Sequence, residues 1–279
     1  MSRSTDRPAP PRPEPLAPLV DAHTHLVACG ASDAECVRAI VDRADAVGVR
    51  AVVTIADDLA SARWVVGAAH VDPRVYAAVA LHPTRAGSLT DAARAEIGSL
   101  AGEPRVVAIG ETGLDLYWPG RLDGCADLTT QREAFAWHID LAKRTGKPLM
   151  IHNRDADDEV LDVLRAEGAP ETVIFHCFSS GKEMARRCLD AGWYLSLAGT
   201  VSFKNATALH EAARLIPPQQ LLVETDAPFL TPHPYRGAPN EPYCLPYTVR
   251  ALADLTGRAP EELARAATAN AARVYALSM

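Results

Sequence analysis

Two histidines stand two residues apart in Asp21-Ala22-His23-Thr24-His25, directly after the apolar start Leu19-Val20. On an extended strand that spacing turns both imidazoles to one face, as two ligands of one ion require. Four more side chains of metal-ligand type follow apolar runs of the same kind. Glu111 follows Val106-Val107-Ala108-Ile109-Gly110, His152 follows Pro148-Leu149-Met150-Ile151, His176 follows Thr172-Val173-Ile174-Phe175, and Asp226 closes Leu221-Leu222-Val223-Glu224-Thr225-Asp226. Any one of them alone reads as a core histidine, a turn carboxylate or a cap. Six at five strand ends, in segments far apart in sequence, read as ligands that the fold gathers at one site. Four imidazoles and two carboxylates exceed what one catalytic ion with an open position uses; they suit two ions, about 3.5–4 Å apart, sharing a bridging carboxylate. Mixed nitrogen and oxygen donors favour zinc, manganese, magnesium or iron-like ions over calcium. Asp21 is placed to orient a ring nitrogen from outside the ligand set. The glycines of Gly110-Glu111-Thr112-Gly113 let backbone approach a ligand closely.

Holding six ligands at strand ends takes a repeating scaffold. Beside the five runs above, Ala51-Val52-Val53-Thr54-Ile55, Val75-Tyr76-Ala77-Ala78-Val79-Ala80-Leu81 and Trp193-Tyr194-Leu195-Ser196-Leu197 read as strands, which makes eight. Helical segments fall near 33–47, 57–69, 88–101, 129–145, 155–167, 180–191 and 205–215, with two more between 243 and 276. Thr129 marks a helix start, and Ala259-Pro260-Glu261-Glu262 another. Gly48, Gly146, Gly168 and Gly192 punctuate the return from helix to strand. Strand–helix alternation predicts a parallel sheet covered by helices, either a closed (β/α)8 TIM barrel or a doubly wound open sheet. Ligands on so many strand ends favour the barrel, because an open sheet concentrates its chemistry at one switch point.

A chain of 279 residues, 48% hydrophobic and 23% charged, suits one such domain over residues 19–279. Residues 1–18 carry six prolines and little apolar content, and the expectation is a disordered tail whose removal leaves the domain intact. The formal net charge of −7 argues against a protein that coats nucleic acid or membrane nonspecifically. No run is long and apolar enough to span a bilayer. Six cysteines without a C-x-x-C pair, and no secretory signal, point to free thiols in a cytoplasmic protein.

The ordered series of motifs resembles the TatD family of metal-dependent deoxyribonucleases, within the amidohydrolase-like barrel superfamily. It runs through Asp21-Ala22-His23-Thr24-His25, Leu81-His82-Pro83, Gly110-Glu111-Thr112-Gly113-Leu114-Asp115, His152-Asn153-Arg154-Asp155-Ala156 and His176-Cys177-Phe178-Ser179. It continues with Phe203-Lys204-Asn205-Ala206, Glu224-Thr225-Asp226-Ala227-Pro228 and Arg236-Gly237-Ala238-Pro239-Asn240-Glu241-Pro242. The resemblance implies that His23, His25 and Asp226 hold one ion, that His152 and His176 hold the second, and that Glu111 bridges them. It also implies that Asp226 orients or deprotonates the attacking water. Leu81 stands where a glycine is usual, and Tyr275 where a phenylalanine is usual.

The activity implied is metal-dependent phosphodiester hydrolysis on DNA ends or single strands, of the 3′ to 5′ exonuclease type, by a monomer. The alternative is an amide or ester hydrolase on the same barrel. Arg154, Lys204 and Arg236 follow strand ends or sit in upper loops, where phosphate partners are needed. Tyr117, Trp118, Phe203 and Tyr235 share those loops, either to stack an unpaired base or to pack the loops themselves.

Overall fold

Strands whose side chains are apolar on both faces need cover on both, and the chain supplies it by winding each strand inside a helix. The computed structural model describes residues 7–278. Its strands are β1 (Leu19–Thr24), β2 (Val49–Ile55), β3 (Val75–Val79), β4 (Val106–Asp115), β5 (Leu149–Arg154), β6 (Val173–Phe175), β7 (Tyr194–Leu197) and β8 (Leu221–Val223). All are parallel to their neighbours and lie in sequence order. Around them run α1 (Ala34–Asp45), α2 (Leu59–Val71), α3 (Asp91–Leu100), α4 (Leu128–Thr145), α5 (Asp157–Glu167), α6 (Lys182–Asp190), α7 (Thr207–Ala213), α8 (Leu245–Thr256) and α9 (Pro260–Val274). The architecture is the TIM barrel read from the sequence.

The seam between β8 and β1 closes through the segments that carry ligands. Asp226 N–H donates to the His23 carbonyl at 3.0 Å, and His25 N–H donates to the Ala227 carbonyl at 2.7 Å. The buried Asp21 carboxylate accepts from Thr225 N–H at 2.8 Å and from its hydroxyl at 2.5 Å. Asp21 therefore stitches β1 to the chain after β8 and orients no ring nitrogen. Burial, opposed by these hydrogen bonds, pushes its carboxyl up to about 8. Inside the barrel Val20, Ala22, Val53, Met150, Ile174 and Leu222 form one apolar cluster, sealed from below by Ala271 and Tyr275 of the α9 region. The Tyr275 hydroxyl, absent from a phenylalanine, donates to the Ala22 carbonyl at 3.1 Å. Leu81 is buried in the larger layer between strands and helices, so a side chain is accommodated there.

Two start and stop readings shift. The cap of α4 is Asp127, whose side chain accepts from Thr130 N–H at 2.8 Å, so Thr129 lies inside the first turn. Strand β4 does not stop at Glu111 but continues to Asp115.

The proline-rich start also differs from a disordered tail. Residues 1–6 lie outside the described residues, but residues 7–18 are an extended strap laid along α8. Tyr243 donates from its hydroxyl to the Pro10 carbonyl at 2.7 Å, Tyr247 to that of Pro11 at 2.9 Å, and Arg250 to that of Glu14 at 2.8 Å. Pro10 and Pro13 are buried. Proline-rich chain pre-set in an extended form loses little entropy on docking and offers carbonyls as acceptors, which is what the tyrosines and arginine use.

Candidate metal centre

The six ligand candidates converge at the carboxyl ends of the strands. His23 lies in β1 and His25 just beyond it; Glu111 and His152 lie within β4 and β5; His176 follows β6, and Asp226 follows β8. His23 Nε2 and His25 Nε2 approach to 3.1 Å, confirming the shared face. Glu111 Oε1 is 3.7 Å from His23 Nε2 and 3.5 Å from His25 Nε2, while Asp226 Oδ1 is 3.5 Å from each. Donors at 2.0–2.1 Å around a tetrahedral ion stand about 3.3 Å apart, so this group has the dimensions of a cation cage. The other oxygen of Glu111 faces a second group: Oε2 is 2.8 Å from His176 Nε2 and 3.1 Å from His152 Nδ1.

Local backbone geometry delivers these side chains. Between the pairs Ile109↔Leu149 and Thr112↔Ile151, β4 advances three residues while β5 advances two, so a bulge falls at Gly110-Glu111. A Cβ on Gly110 would meet the Met150 Cβ at 2.5 Å, and one on Gly113 would meet the His152 carbonyl oxygen at 2.1 Å. The glycines thus allow β4 to close on β5, which brings Glu111 to His152. A similar irregularity interrupts β1 between Asp21 and Thr24. Cys177 and Asp226 are left-handed at φ 42° and 49°, conformations that cost non-glycine residues energy and cluster at functional sites.

A neutral imidazole ligates through one nitrogen when its other nitrogen bears the proton, and three of the four rings have a hydrogen-bonding partner on that far side, while His25 has only a nearby carboxylate. His176 Nδ1 donates to Glu224 Oε1 at 3.2 Å, an oxygen that also accepts from Cys177 N–H at 2.8 Å. His152 Nε2 donates to Asp115 Oδ2 at 3.0 Å, while Asp115 Oδ1 accepts from Tyr117 and Trp118 N–H, each at 2.9 Å. His25 Nδ1 is 3.5 Å from Asp57 Oδ1, and His23 Nδ1 lies 3.1 Å from the Met150 sulfur. Asp57, Asp115, Glu224 and Met150 were not singled out by sequence reasoning. Asp115 and Glu224 stood inside recognised motifs, but nothing in their spacing tells which ring they face.

Electrostatics match a site built for positive charge. Burial disfavours charging His176, yet Glu111 and Glu224 outweigh it and hold the ring well above its ordinary range. Burial likewise opposes charging His25, but Asp226, Asp57 and Glu111 push it up to about 9. Burial alone would raise Glu111; the surrounding histidines, His176 first, bring it well below the usual carboxylate range. The carboxylates here call for cations, and protons or metal ions answer equally. His82 sits beside His152 with ring centroids 4.4 Å apart, and His82, Asp115 and His152 also lie close enough to hold an ion. His82 is anchored within its own turn, its Nδ1 lying 3.2 Å from Thr84 N–H and 2.7 Å from the Thr84 hydroxyl. Burial, followed by the neighbouring His152, pushes it down to about 3.

The rim cations occupy different settings. Arg154 is exposed and stacks over Tyr117 at 3.9 Å and Trp118 at 5.5 Å, with Arg121 also over Tyr117 at 4.5 Å. Arg236 is exposed over Phe203 at 4.5 Å, and Lys204 is exposed in the neighbouring turn. Tyr235 packs on Tyr247, ring centroids 5.0 Å apart. Tyr117, Phe203 and Tyr235 thus pack within the loops, Tyr117 and Phe203 by carrying arginines. The aromatic ring that faces outward beside the ligands is Phe229, 48% exposed, edge-on to His25 at 5.8 Å.

Comparison with known proteins places this geometry. Residues 20–276 match the model of the TatD related DNase family. A Mycobacterium tuberculosis protein named as the metal-dependent hydrolase TatD is 73% identical over 259 residues, covering 93% of this chain and 98% of that protein. The 3′-5′ ssDNA/RNA exonuclease TatD of Erwinia billingiae is 36% identical over 209 residues, 72% of this chain and 78% of that one. Among solved structures, YjjV, a TatD homologue of Escherichia coli K12, superposes with a TM-score of 0.85 at 26% identity, covering 93% of this chain and 98% of its own.

Proposed function

The chain belongs to the TatD related DNase family and is a metal-dependent hydrolase, and from that premise we propose that it is a two-metal phosphodiesterase acting from the 3′ end of single-stranded DNA. The carrying observation is Glu111, whose two oxygens face two separate donor groups. In this reading His23, His25 and Asp226 would hold one ion, His152 and His176 would hold the other, and Glu111 would serve both. Bound divalent ions supply Lewis acidity and a water acidic enough to attack at neutral pH.

The chain's own residues do the rest. Asp226, fixed by its N–H bond to the His23 carbonyl, orients the attacking water and takes its proton. Glu224, Asp115 and Met150 hold the rings of His176, His152 and His23 in the tautomer that leaves a lone pair facing inward, and Asp57 places a negative charge beside His25. Arg154 and Arg236, propped on aromatic rings, and Lys204 receive substrate phosphates. Phe229 offers its exposed face to the terminal base. The name of the Erwinia relative supports nucleic acid over an amide or ester, as do the rim cations, which a neutral amide does not need. Six cysteines outside any disulfide support action in a reducing cytoplasm, and the same reading has the enzyme working as a monomer, which sedimentation tests.

The decisive experiment reconstitutes the protein with zinc, manganese or magnesium and offers end-labelled single-stranded DNA beside a panel of amides and esters. Release of mononucleotides from the 3′ end, with two ions per active chain, is the expected result. Turnover of amides or esters with intact DNA, or full activity with one ion, overturns it.

A further inference from the structure

The strap reaches from the bottom of the barrel to its catalytic rim. Its lower end is fixed where Thr268 of α9 donates to the Pro18 carbonyl at 2.6 Å and Leu16 N–H donates to the Val47 carbonyl at 3.2 Å. It then follows one face of the α8 region, engaging Arg250, Tyr247 and Tyr243, residues spaced by three and four as successive turns of one face require. At its upper end the Arg7 guanidinium donates to the Arg236 carbonyl at 2.6 Å and lies beside Gly237, left-handed at φ 85°. An extended segment of this kind rises about 3.1 Å per residue, so residues 7–18 span about 34 Å, enough to join the two ends of a barrel.

The strap meets the rim at the loop between β8 and α8. That loop carries no strand or helix from Ala227 to Glu241 and is held by a few bonds, among them Tyr235 N–H to Pro232 and Ala238 N–H to Tyr235, each 2.9 Å. It presents Arg236 over Phe203. We propose that residues 7–14 are a positioning strap: docked on Tyr243, Tyr247 and Arg250, they use Arg7 to fix the loop that holds Arg236 toward a substrate phosphate. Arg7 is thus a positioning residue for substrate affinity, lying outside the metal centre and indifferent to the chemical step. This inference rests on Arg236 meeting phosphate, as proposed above.

Full-length protein serves for the test, with Arg7→Ala, with Tyr243→Phe combined with Arg250→Met, and with all three changes together; Tyr247 is kept because its ring also packs on Tyr235 of the loop. Amide exchange at Tyr235 and Ala238 reports the loop without any substrate, and KM and kcat on a short single-stranded DNA report its use. Losing one charge-assisted bond is expected to speed exchange and raise KM by about three- to tenfold, with kcat and metal content unchanged. The triple variant should do no more than the larger of the two, since both act through one path. Unchanged exchange in every variant overturns the strap, as does a fall in kcat or metal content at unchanged KM. Faster exchange at unchanged KM leaves the strap standing as a loop tether and instead removes Arg236 from the phosphate site.

Discussion

Asp115 shows how much a single carboxylate decides here. One of its oxygens accepts from two backbone N–H groups and the other accepts from His152 Nε2. Burial would raise this carboxyl, but His152 and the Trp118 amide outweigh it and keep it below the usual range. An asparagine has one oxygen where two are needed. In Asp115→Asn the oxygen stays with Tyr117 and Trp118, the NH2 group turns to His152, and the ring reverses its tautomer, pointing an N–H at Glu111. Metal affinity at the second position should fall about 10–100-fold while the fold persists; chelator competition against wild type measures it, and equal affinities would reduce Asp115 to a turn residue. Glu111→Gln should go further. Its carboxylate faces both donor groups and, on the two-ion proposal, would offset the mutual repulsion of the cations, so this variant should lose more metal and more activity than any single histidine substitution. Metal analysis beside thermal unfolding checks it. The convergence of the six candidates was legible because each follows an apolar run, a pattern visible along the chain. Their outer partners were not, since His152 meets Asp115, and His176 meets Glu224, across turns of barrel that carry no mark in local sequence.

Strands and helices were legible as periods, whereas the irregularities that aim the ligands were not. The bulge at Gly110-Glu111 depends on how β4 pairs with β5, and pairing is a property of two segments at once. The same holds for His138 on α4, which sequence reading passed over as an ordinary helix residue. Its Nε2 accepts from Leu81 N–H at 3.2 Å, and its Nδ1 donates to the Ala134 carbonyl at 2.7 Å, so the ring ties α4 to the exit of β3 as a neutral group. Burial pushes it down from 6.5 to about 4. A folded value below the unfolded one means the unfolded chain takes the proton first as pH falls. Stability from this residue is therefore complete above 6.5 and is lost between 6.5 and 4. Lowering pH from 7 to 5 should cost about 2 kcal/mol through His138 alone. Denaturant unfolding at the two pH values, for wild type and His138→Gln, isolates that share; equal pH dependence in both would show that the ring titrates normally.

At the scale of the whole molecule, composition did not foresee the docking of residues 7–18, because polarity measures what a segment lacks for a core of its own and says nothing of tyrosines placed to receive its carbonyls. Charge raises a similar question. A net charge of −7 repels a polyanion at long range, so binding a DNA strand depends on a few cations gathered at the rim. Arg154 and Arg236 are braced by aromatic rings, whereas among the described residues Lys204 is exposed and makes no hydrogen bond or ion pair. If it meets a phosphate, each such contact releases condensed counterion, and log affinity falls with log salt by about 0.7 per contact on a single strand. Lys204→Ala should therefore bind a short single strand more weakly at low salt, with a slope shallower by about 0.7 and with unchanged metal content. The two proteins should converge as salt rises, because the lost contact is the one that salt competes with. Binding isotherms across a salt series decide the matter: parallel lines remove Lys204 from the phosphate path, and a flat line for the wild type turns the reading away from nucleic acid toward a neutral substrate on the same metal centre.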